Sequence, residues 1–226
     1  MGTQLQKTLG RAADSPALAG ALRGAKRANR ATYHSSRPVV PDRFELAVLL
    51  NRRELCGCSV EVGVRRGEFS RALLEAWNGT HLISVDPWSE APPESYRDVA
   101  NTHQPEHDEF HRETVERLAP FGERSTIWRV TGAEAAPRLP HHCLDFVYLD
   151  ARHDRESVAT DLANWFEKVR PGGIIAGHDY VDGTFPEGEF GVRSAVDAFF
   201  AARELRVGAT FADPPWPSWF VLVPSR

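Results

Sequence analysis

The chain has 226 residues, of which 42% are hydrophobic and 26% are charged, as in an ordinary globular protein. No apolar run approaches the roughly 18 residues that a membrane-spanning helix needs, so no membrane partner is expected. The three cysteines form no C-x-x-C pair, which argues against a zinc site and predicts reduced thiols in a cytoplasmic protein. This length suits one large α/β domain.

The charge is distributed unevenly along the chain. Residues 1–39 hold seven basic side chains and one acidic one, whereas the remainder holds 20 basic and 30 acidic residues. We therefore predict a basic, partly helical extension over residues 1–39 and an acidic globular domain over residues 40–226. The acidic domain disfavours a nucleic-acid partner, which requires a basic face. The extension could pack over a substrate or over a second subunit of a homo-oligomer.

From residue 40 onward, predicted strands alternate with predicted helices. The first five strands are predicted at 58–62, 81–85, 126–130, 144–149 and 173–176. The helices are predicted at 44–55, 68–77, 107–118, 157–169 and 192–202. Two long loops, a proline-rich one at 87–105 and a glycine-rich one at 182–191, interrupt the alternation. A terminal strand pair at 205–211 and 219–223 completes the chain.

This order of elements predicts an α/β fold with a Rossmann-like open sheet. The sheet is expected to have seven strands, mostly parallel, with a terminal antiparallel strand and helices on both faces. The fourth strand is apolar on both faces, as is typical of a central parallel strand. Ligands of such sheets bind outside the carboxyl ends of the strands, so the residues that follow the strands are the functional candidates.

A glycine turn with the pattern Glu61-x-Gly63-x-x-x-Gly67 follows the first strand, and the second strand ends at Asp86. Glycine allows the backbone of the turn to approach a ligand without a Cβ in the way. An acid at this turn would repel a pyrophosphate, and it suits a ligand that carries positive charge. Asp86 can accept hydrogen bonds from two ribose hydroxyls. The pattern therefore favours a cationic nucleoside and argues against an NAD-binding oxidoreductase.

The glycine turn resembles the first motif of the class I methyltransferases that use S-adenosylmethionine (SAM). Asp150-x-x-His153 and Pro-Gly-Gly-x-x-x-Gly-His178-Asp179-Tyr180 resemble the small-molecule O-methyltransferases grouped with the macrolide-sugar and cephalosporin-pathway enzymes. The resemblance covers residues 58–200 and implies SAM as the cofactor. In that family the turn after the third strand lies against the adenine. The cofactor-binding residues implied here are Glu61, Gly63, Gly67, Asp86, Gly132, Ala133 and Asp150.

The resemblance also implies a divalent metal ion, because acids at the fourth and fifth strand ends hold one in this family and in the related catechol-type enzymes. The matching residues are Asp150 and Asp179, with His178 as a third candidate ligand and Mg²⁺ as the expected ion. The ion would orient an acceptor hydroxyl and lower its pKa. A further acid or Asn often follows the second carboxylate in the family, but Tyr180 stands there, so the third ligand stays open.

Two other interpretations of the same residues need no metal. In one, His153 or His178 is a general base, since histidine titrates near neutrality. In the other, Asp150 only caps the following turn and His153 only packs on the start of a helix. Both histidines and Asp150 therefore stand as catalytic candidates.

The predicted function is SAM-dependent O-methylation of a small hydroxylated molecule of secondary metabolism. An N-methyltransferase of the same fold and a SAM-binding protein without turnover are the alternatives. We expect the loops at 87–105 and 182–191 to border the acceptor site, to become ordered with bound ligands and to determine acceptor choice.

Overall fold

The computed structural model describes residues 37–225 except residues 93, 95, 97 and 214. The unit Val40–Arg226 is compact and contains all of the elements below. The basic extension predicted over residues 1–39 lies almost entirely outside the described residues and stays a prediction.

Nine strands are present in this part of the chain. They are β1 (Cys58–Val62), β2 (His81–Val85), β3 (Ser125–Trp128), β4 (Leu144–Leu149), β5 (Val169–Gly177), β6 (Asp182–Phe185), β7 (Gly188–Gly191), β8 (Gly208–Ala209) and β9 (Trp219–Leu222). The α-helices described are α1 (Leu46–Arg52), α2 (Glu68–Ala76), α3 (Gln104–Leu118), α4 (Gly132–Ala135), α5 (Arg155–Phe166) and α6 (Val192–Ala201).

Seven strands form one sheet in the order β3-β2-β1-β4-β5-β9-β8. The first five strands of this order run parallel, and β9 runs antiparallel to both of its neighbours. The predicted fold class is therefore confirmed. The strand order reverses between β1 and β4, which is where open α/β sheets bind their ligands.

The core explains why these segments form strands and helices. All residues of β4 are buried, because helices cover the sheet and leave no solvated face in its centre. On α5 the buried residues Val158, Leu162 and Trp165 recur at helical spacing, so one face of the helix packs on the sheet. The exposed residues of α5 lie on the opposite face of the helix.

Main-chain hydrogen bonds continue past the strand ends and hold the residues just beyond each strand next to the neighbouring strand. Asp150 N donates to Val62 O over 2.7 Å, and His178 N donates to Leu149 O over 3.1 Å. The residues that follow β1, β4 and β5 consequently lie side by side at one edge of the sheet.

The segment predicted as a glycine-rich loop at 182–191 forms the antiparallel hairpin β6–β7 instead. Its glycines indicate a loop, yet the side chain of Phe190 between them is buried and packs on the main core. Packing against distant residues therefore outweighs the local preference of the glycines.

The described part of the chain has no helix that is both long enough and apolar enough to span a membrane. Cys56, Cys58 and Cys143 are free cysteines, as predicted.

Candidate active site

A cleft of about 980 Å³ opens at the carboxyl ends of β1, β2 and β4. Its lining includes most of the residues that the sequence singles out: Glu61, Gly63, Asp86, Gly132, Ala133, Asp150, His153, His178 and Asp179. Gly67 does not line the cleft. It stands at the start of α2 with a φ of 72°, where it ends the glycine turn.

The glycine turn approaches the end of β4 through backbone atoms alone. Gly63 has a φ of 86°, a conformation that favours glycine, and a Cβ at this position would overlap the carbonyl oxygen of Asp150. The turn can therefore pass next to Asp150 only because residue 63 has no side chain.

The carboxylate of Asp86 stabilises the glycine turn through hydrogen bonds. Its Oδ2 accepts hydrogen bonds from the backbone N–H groups of Val64 (2.8 Å) and Arg65 (2.9 Å), and its Oδ1 accepts one from Trp88 N (2.7 Å). A carboxylate has about four acceptor positions, so capacity remains for a ribose hydroxyl on Oδ1. The sequence predicted the ribose role and missed this structural one.

Trp88 supports the same turn. Its side chain is fully buried against Val64 and Phe110, and its indole N–H donates to Arg65 O over 2.7 Å. The indole therefore packs behind the turn.

Glu61 is buried at the base of the cleft, where its carboxyl group accepts a hydrogen bond from the Ser70 hydroxyl. Burial raises the pKa of Glu61 to about 8, the Ser70 hydrogen bond opposes the rise, and the charges of Asp150 and Asp86 add to it. Glu61 therefore retains its proton at neutral pH in the absence of a ligand. A cation beside it would favour the ionised form.

Three side chains converge where β4 and β5 end, and we call them the strand-end cluster: Asp150, His153 and Asp179. One potential ligand atom from each lies within 4.8 Å of the others. His178 is not a member, although its Nδ1 lies 2.7 Å from Asp179 Oδ1. Its Nε2 is buried and has no hydrogen-bond partner among the described residues. The structure thus groups His153 with the two carboxylates, and the ligand role of His178 stays a prediction.

Asp179 is held in an unusual backbone conformation. Its φ of 52° is rare for a residue with a Cβ, and such conformations cost about 1–3 kcal/mol and concentrate at functional sites. In this position its Oδ2 lies 3.1 Å from His153 Nε2, while Oδ1 contacts His178.

Opposite charges stabilise one another within the cluster. Burial acts to lower the pKa of His153, but hydrogen bonds to Asp179 and Asp98 raise it to about 10. Burial acts to raise the pKa of Asp179, but hydrogen bonds from His153 and His178 lower it. The pKa of Asp150 is raised by burial, against the attraction of the two histidines. A protonated His153 thus supplies positive charge between the carboxylates.

Two segments cover His153, and we call them the roof: Asp98, Val99 and the hairpin β6–β7. Asp98, whose side chain is 3% exposed, accepts a hydrogen bond from His153 Nδ1 over 2.7 Å. The ring of Phe190 stacks on the imidazole with 4.6 Å between the centroids. Val99 N donates to Glu187 O over 2.8 Å, which joins the two parts of the roof. Asp98 carries no sequence signal, because it lies in a loop 55 positions before His153.

The turn at the start of α4 has no room for larger residues. Thr131 and Glu134 form a reciprocal capping box. A Cβ on Gly132 would lie 2.9 Å from Val62 Cγ1, so the turn packs closely on the end of β1. Gly132 and Ala133 line the cleft.

A family model described as a methyltransferase domain matches residues 60–180, a little more than half of the chain. The chain belongs to this methyltransferase family. The predicted enzyme class, a SAM-dependent methyltransferase, is thereby confirmed, whereas the macrolide-sugar and cephalosporin-pathway branch stays a prediction. No curated protein matches this methyltransferase.

Solved structures with the same fold include several methyltransferases. The O-methyltransferase TomG from Streptomyces achromogenes, involved in tomaymycin synthesis and solved with SAM, is 16% identical, with 88% of this chain and 89% of that chain covered and a TM-score of 0.55. An O-methyltransferase from Bacillus cereus in complex with SAH is 17% identical, with 89% and 90% covered and a TM-score of 0.55. A SAM-dependent methyltransferase from Aquifex aeolicus is 14% identical, with 80% and 94% covered and a TM-score of 0.53. The likeness at these identities concerns the fold.

Proposed function

We propose that this methyltransferase transfers the methyl group of SAM to a hydroxyl group of a small molecule, which the strand-end cluster prepares for reaction. The observation that carries the proposal is the convergence of Asp150, His153 and Asp179 next to the glycine turn. The neighbours from Streptomyces achromogenes and Bacillus cereus, both named as O-methyltransferases, support it.

The cleft has the features that SAM requires. Gly63 lines the cleft and has no side chain, so the glycine turn offers backbone atoms to a ligand there. Glu61 offers a carboxyl group to the ammonium of the methionine part, and Asp86 retains acceptor capacity for the ribose. Bound SAM supplies the electrophile, a methyl group on a sulfonium sulfur. The protein therefore has to align the acceptor and remove its proton.

We further propose that the strand-end cluster binds a divalent ion. Two carboxylates and one imidazole with ligand atoms within 4.8 Å of one another fit a single ion. The two carboxylates suit Mg²⁺ or Mn²⁺, which prefer oxygen ligands, whereas the imidazole nitrogen favours a transition-metal ion over Mg²⁺. When bound, such an ion would lower the pKa of an acceptor hydroxyl. His153 would have to give up its proton to serve as a ligand, so metal binding would release a proton.

In the metal-free alternative, His153 is the general base. A base must be unprotonated, whereas the hydrogen bonds to Asp179 and Asp98 raise the pKa of His153 to about 10, against the effect of burial. Activity by this route would therefore increase as the pH rises towards about 10.

The lining of the cleft favours an acceptor without phosphate groups. Ten acidic residues and four arginines line it within the described residues, so a phosphate ester would meet repulsion. Tyr96, Phe190 and Trp216 add aromatic surface near the roof. A neutral hydroxylated molecule with an apolar body fits this lining. An amine acceptor, as in the N-methyltransferase alternative, also fits the negative charge.

Transfer of a labelled methyl group from SAM to a panel of phenols, sugars and amines tests the proposal. We expect labelled products from hydroxylated acceptors, and a loss of at least about 100-fold in kcat/KM with Asp150→Asn or Asp179→Asn. The control Glu75→Gln removes an exposed charge on α2 and should retain full activity. Labelled products from amines alone would support the N-methyltransferase alternative.

Chelation tests the metal. Exhaustive treatment with EDTA should abolish transfer, and Mg²⁺ or Mn²⁺ should restore it. Unchanged turnover after chelation, together with a rate that rises towards about pH 10, would instead assign the reaction to His153 as base.

A further inference from the structure

A buried carboxylate of the roof contacts the strand-end cluster without being one of its three members. The side chain of Asp98 is 3% exposed, and its Oδ1 accepts a hydrogen bond from Ala100 N over 2.7 Å. Its Oδ2 accepts one from His153 Nδ1, also over 2.7 Å. Burial of a carboxylate is costly unless donors compensate it, so the contact with the imidazole is not an incidental one.

The two ring nitrogens of His153 have different neighbours. Nδ1 meets Asp98 in the roof, whereas Nε2 lies 3.1 Å from Asp179 Oδ2 in the strand-end cluster. A histidine that binds a metal ion through one nitrogen almost always donates its other N–H to a carboxylate, a carbonyl or a water. Asp98 and His153 have this arrangement, with Nε2 as the nitrogen that is offered to the cluster.

Phe190 fixes the plane of the imidazole but not its orientation within that plane. The two rings are stacked with an angle of 5° between their planes. A half-turn of the imidazole about its bond to Cβ would preserve this stacking. It would also exchange Nε2 for a carbon atom on the side of Asp179. The hydrogen bond to Asp98 opposes the half-turn, because it requires Nδ1 on the side of the roof.

The hairpin of the roof holds Asp98 in place. Asp98 and Gly188 form an antiparallel bridge, and Val99 N donates to Glu187 O over 2.8 Å. The position of the carboxylate is therefore determined by the hairpin β6–β7 as well as by its own loop. This is how a residue 55 positions before His153 can orient its ring.

We propose that Asp98 is a positioning residue, which keeps Nε2 of His153 directed at the strand-end cluster so that the imidazole can serve as a nitrogen ligand of a divalent ion. The inference rests on the proposed function, in which the cluster binds such an ion. Loss of the group that orients a metal-binding histidine typically lowers the metal affinity 10- to 100-fold.

Titration of the full chain with Mn²⁺, followed by calorimetry and by pulsed electron paramagnetic resonance, tests the inference. The resonance experiment detects a coordinated imidazole through the coupling of Mn²⁺ to its nitrogen. We expect this coupling in the wild type and its absence in His153→Gln. In Asp98→Asn the affinity for Mn²⁺ should fall roughly 10- to 100-fold, and the nitrogen coupling at saturating Mn²⁺ should weaken. The amide oxygen cannot replace both carboxylate oxygens, which accept from Ala100 N and from His153.

Two controls separate positioning from a general disturbance of the fold. Asp182→Asn makes the same change at an exposed residue of β6 that accepts from Ser194 N, and it should bind Mn²⁺ like the wild type. The affinity of Asp98→Asn for S-adenosylhomocysteine (SAH), measured by calorimetry, should equal that of the wild type. Asp98→Ser provides a second variant if Asp98→Asn does not fold.

Unchanged Mn²⁺ affinity in Asp98→Asn would overturn the inference, and so would a full nitrogen coupling in that variant. Equal losses of affinity for Mn²⁺ and for SAH would also overturn it, since Asp98 would then support the whole cleft. Binding of Mn²⁺ to the wild type without any nitrogen coupling would overturn the inference and leave the metal of the proposed function intact. Failure of the wild type to bind Mn²⁺ at all would overturn both.

Discussion

Glu61 couples the stability of the protein to pH. Its pKa rises from an ordinary 4.5 to about 8 in the folded protein, chiefly through burial. Folding therefore takes up a proton between these two values. The stability that this group contributes is fully present below the unfolded pKa and is lost as the pH rises through the folded pKa.

The variant Glu61→Gln should remove this dependence. As the pH rises from about 5 to about 8, the free energy of unfolding of the wild type should decrease by about 1 kcal/mol per pH unit more than that of the variant. Urea unfolding of both proteins across this range measures the difference, and all other titrating groups are common to both. The control variant Glu75→Gln, at an exposed position, should show the same pH dependence of unfolding as the wild type. If Glu61→Gln also showed the pH dependence of the wild type, this would contradict the argument that burial raises the pKa of Glu61.

At the scale of single residues, the sequence predicts which residues lie at the cleft better than it predicts which side chains they contact. Glu61, Asp86 and Asp150 could be placed at the cleft because each lies at or just past a strand. Asp98 could not, since it lies in a loop without periodicity. The sequence did not indicate that His153 groups with Asp150 and Asp179, and the ligand role of His178 stays a prediction.

At the scale of elements, the hairpin of the roof and the glycine turn belong to different parts of the fold, and we propose that the hairpin contacts the acceptor and the turn contacts the cofactor. The hairpin β6–β7 reaches His153 through Phe190, whereas the glycine turn and Asp86 belong to β1 and β2. The strands of the main sheet and all helices except α4 could be predicted from the sequence, because most of them have an apolar period. The hairpin could not, because its pairing depends on glycines and on contacts with distant residues.

Replacement of Phe190 by Ala should therefore change the KM for the acceptor while the affinity for SAM stays within about 0.5 kcal/mol, as for sites without shared contacts. The loss of the ring should also free the imidazole of His153 to move. Steady-state kinetics with the acceptor and calorimetry with SAH measure the two effects. Equal losses for both ligands would show that the hairpin belongs to the cofactor site.

At the scale of the whole molecule, the cofactor site exists only when the sheet is assembled. Glu61 lies in β1, whereas Asp86 and Gly132 lie in the segments that follow β2 and β3, so an unfolded chain offers no comparable site. A ligand that binds only the folded form stabilises it by mass action.

SAH at about 100 times its Kd should raise the free energy of unfolding by about 2.7 kcal/mol, whereas NAD should not raise it. Asp86→Ala should weaken SAH binding by about 1.5–3 kcal/mol, since it removes a charged acceptor. The same variant should unfold more easily without ligand, because Asp86 also fastens the glycine turn. Thermal and urea unfolding with each ligand provide the measurement, and stabilisation by NAD would contradict the assignment.

No side chain stands between the glycine turn and the main chain of Asp150. In the proposed function the cofactor and acceptor parts of the cleft meet here, and the path of the methyl group is then determined by the sheet itself. Displacements of about 1 Å can reduce such transfers about a hundredfold. Relatives whose roof residues differ could therefore bind other acceptors and still keep the same distance between the methyl group and the acceptor.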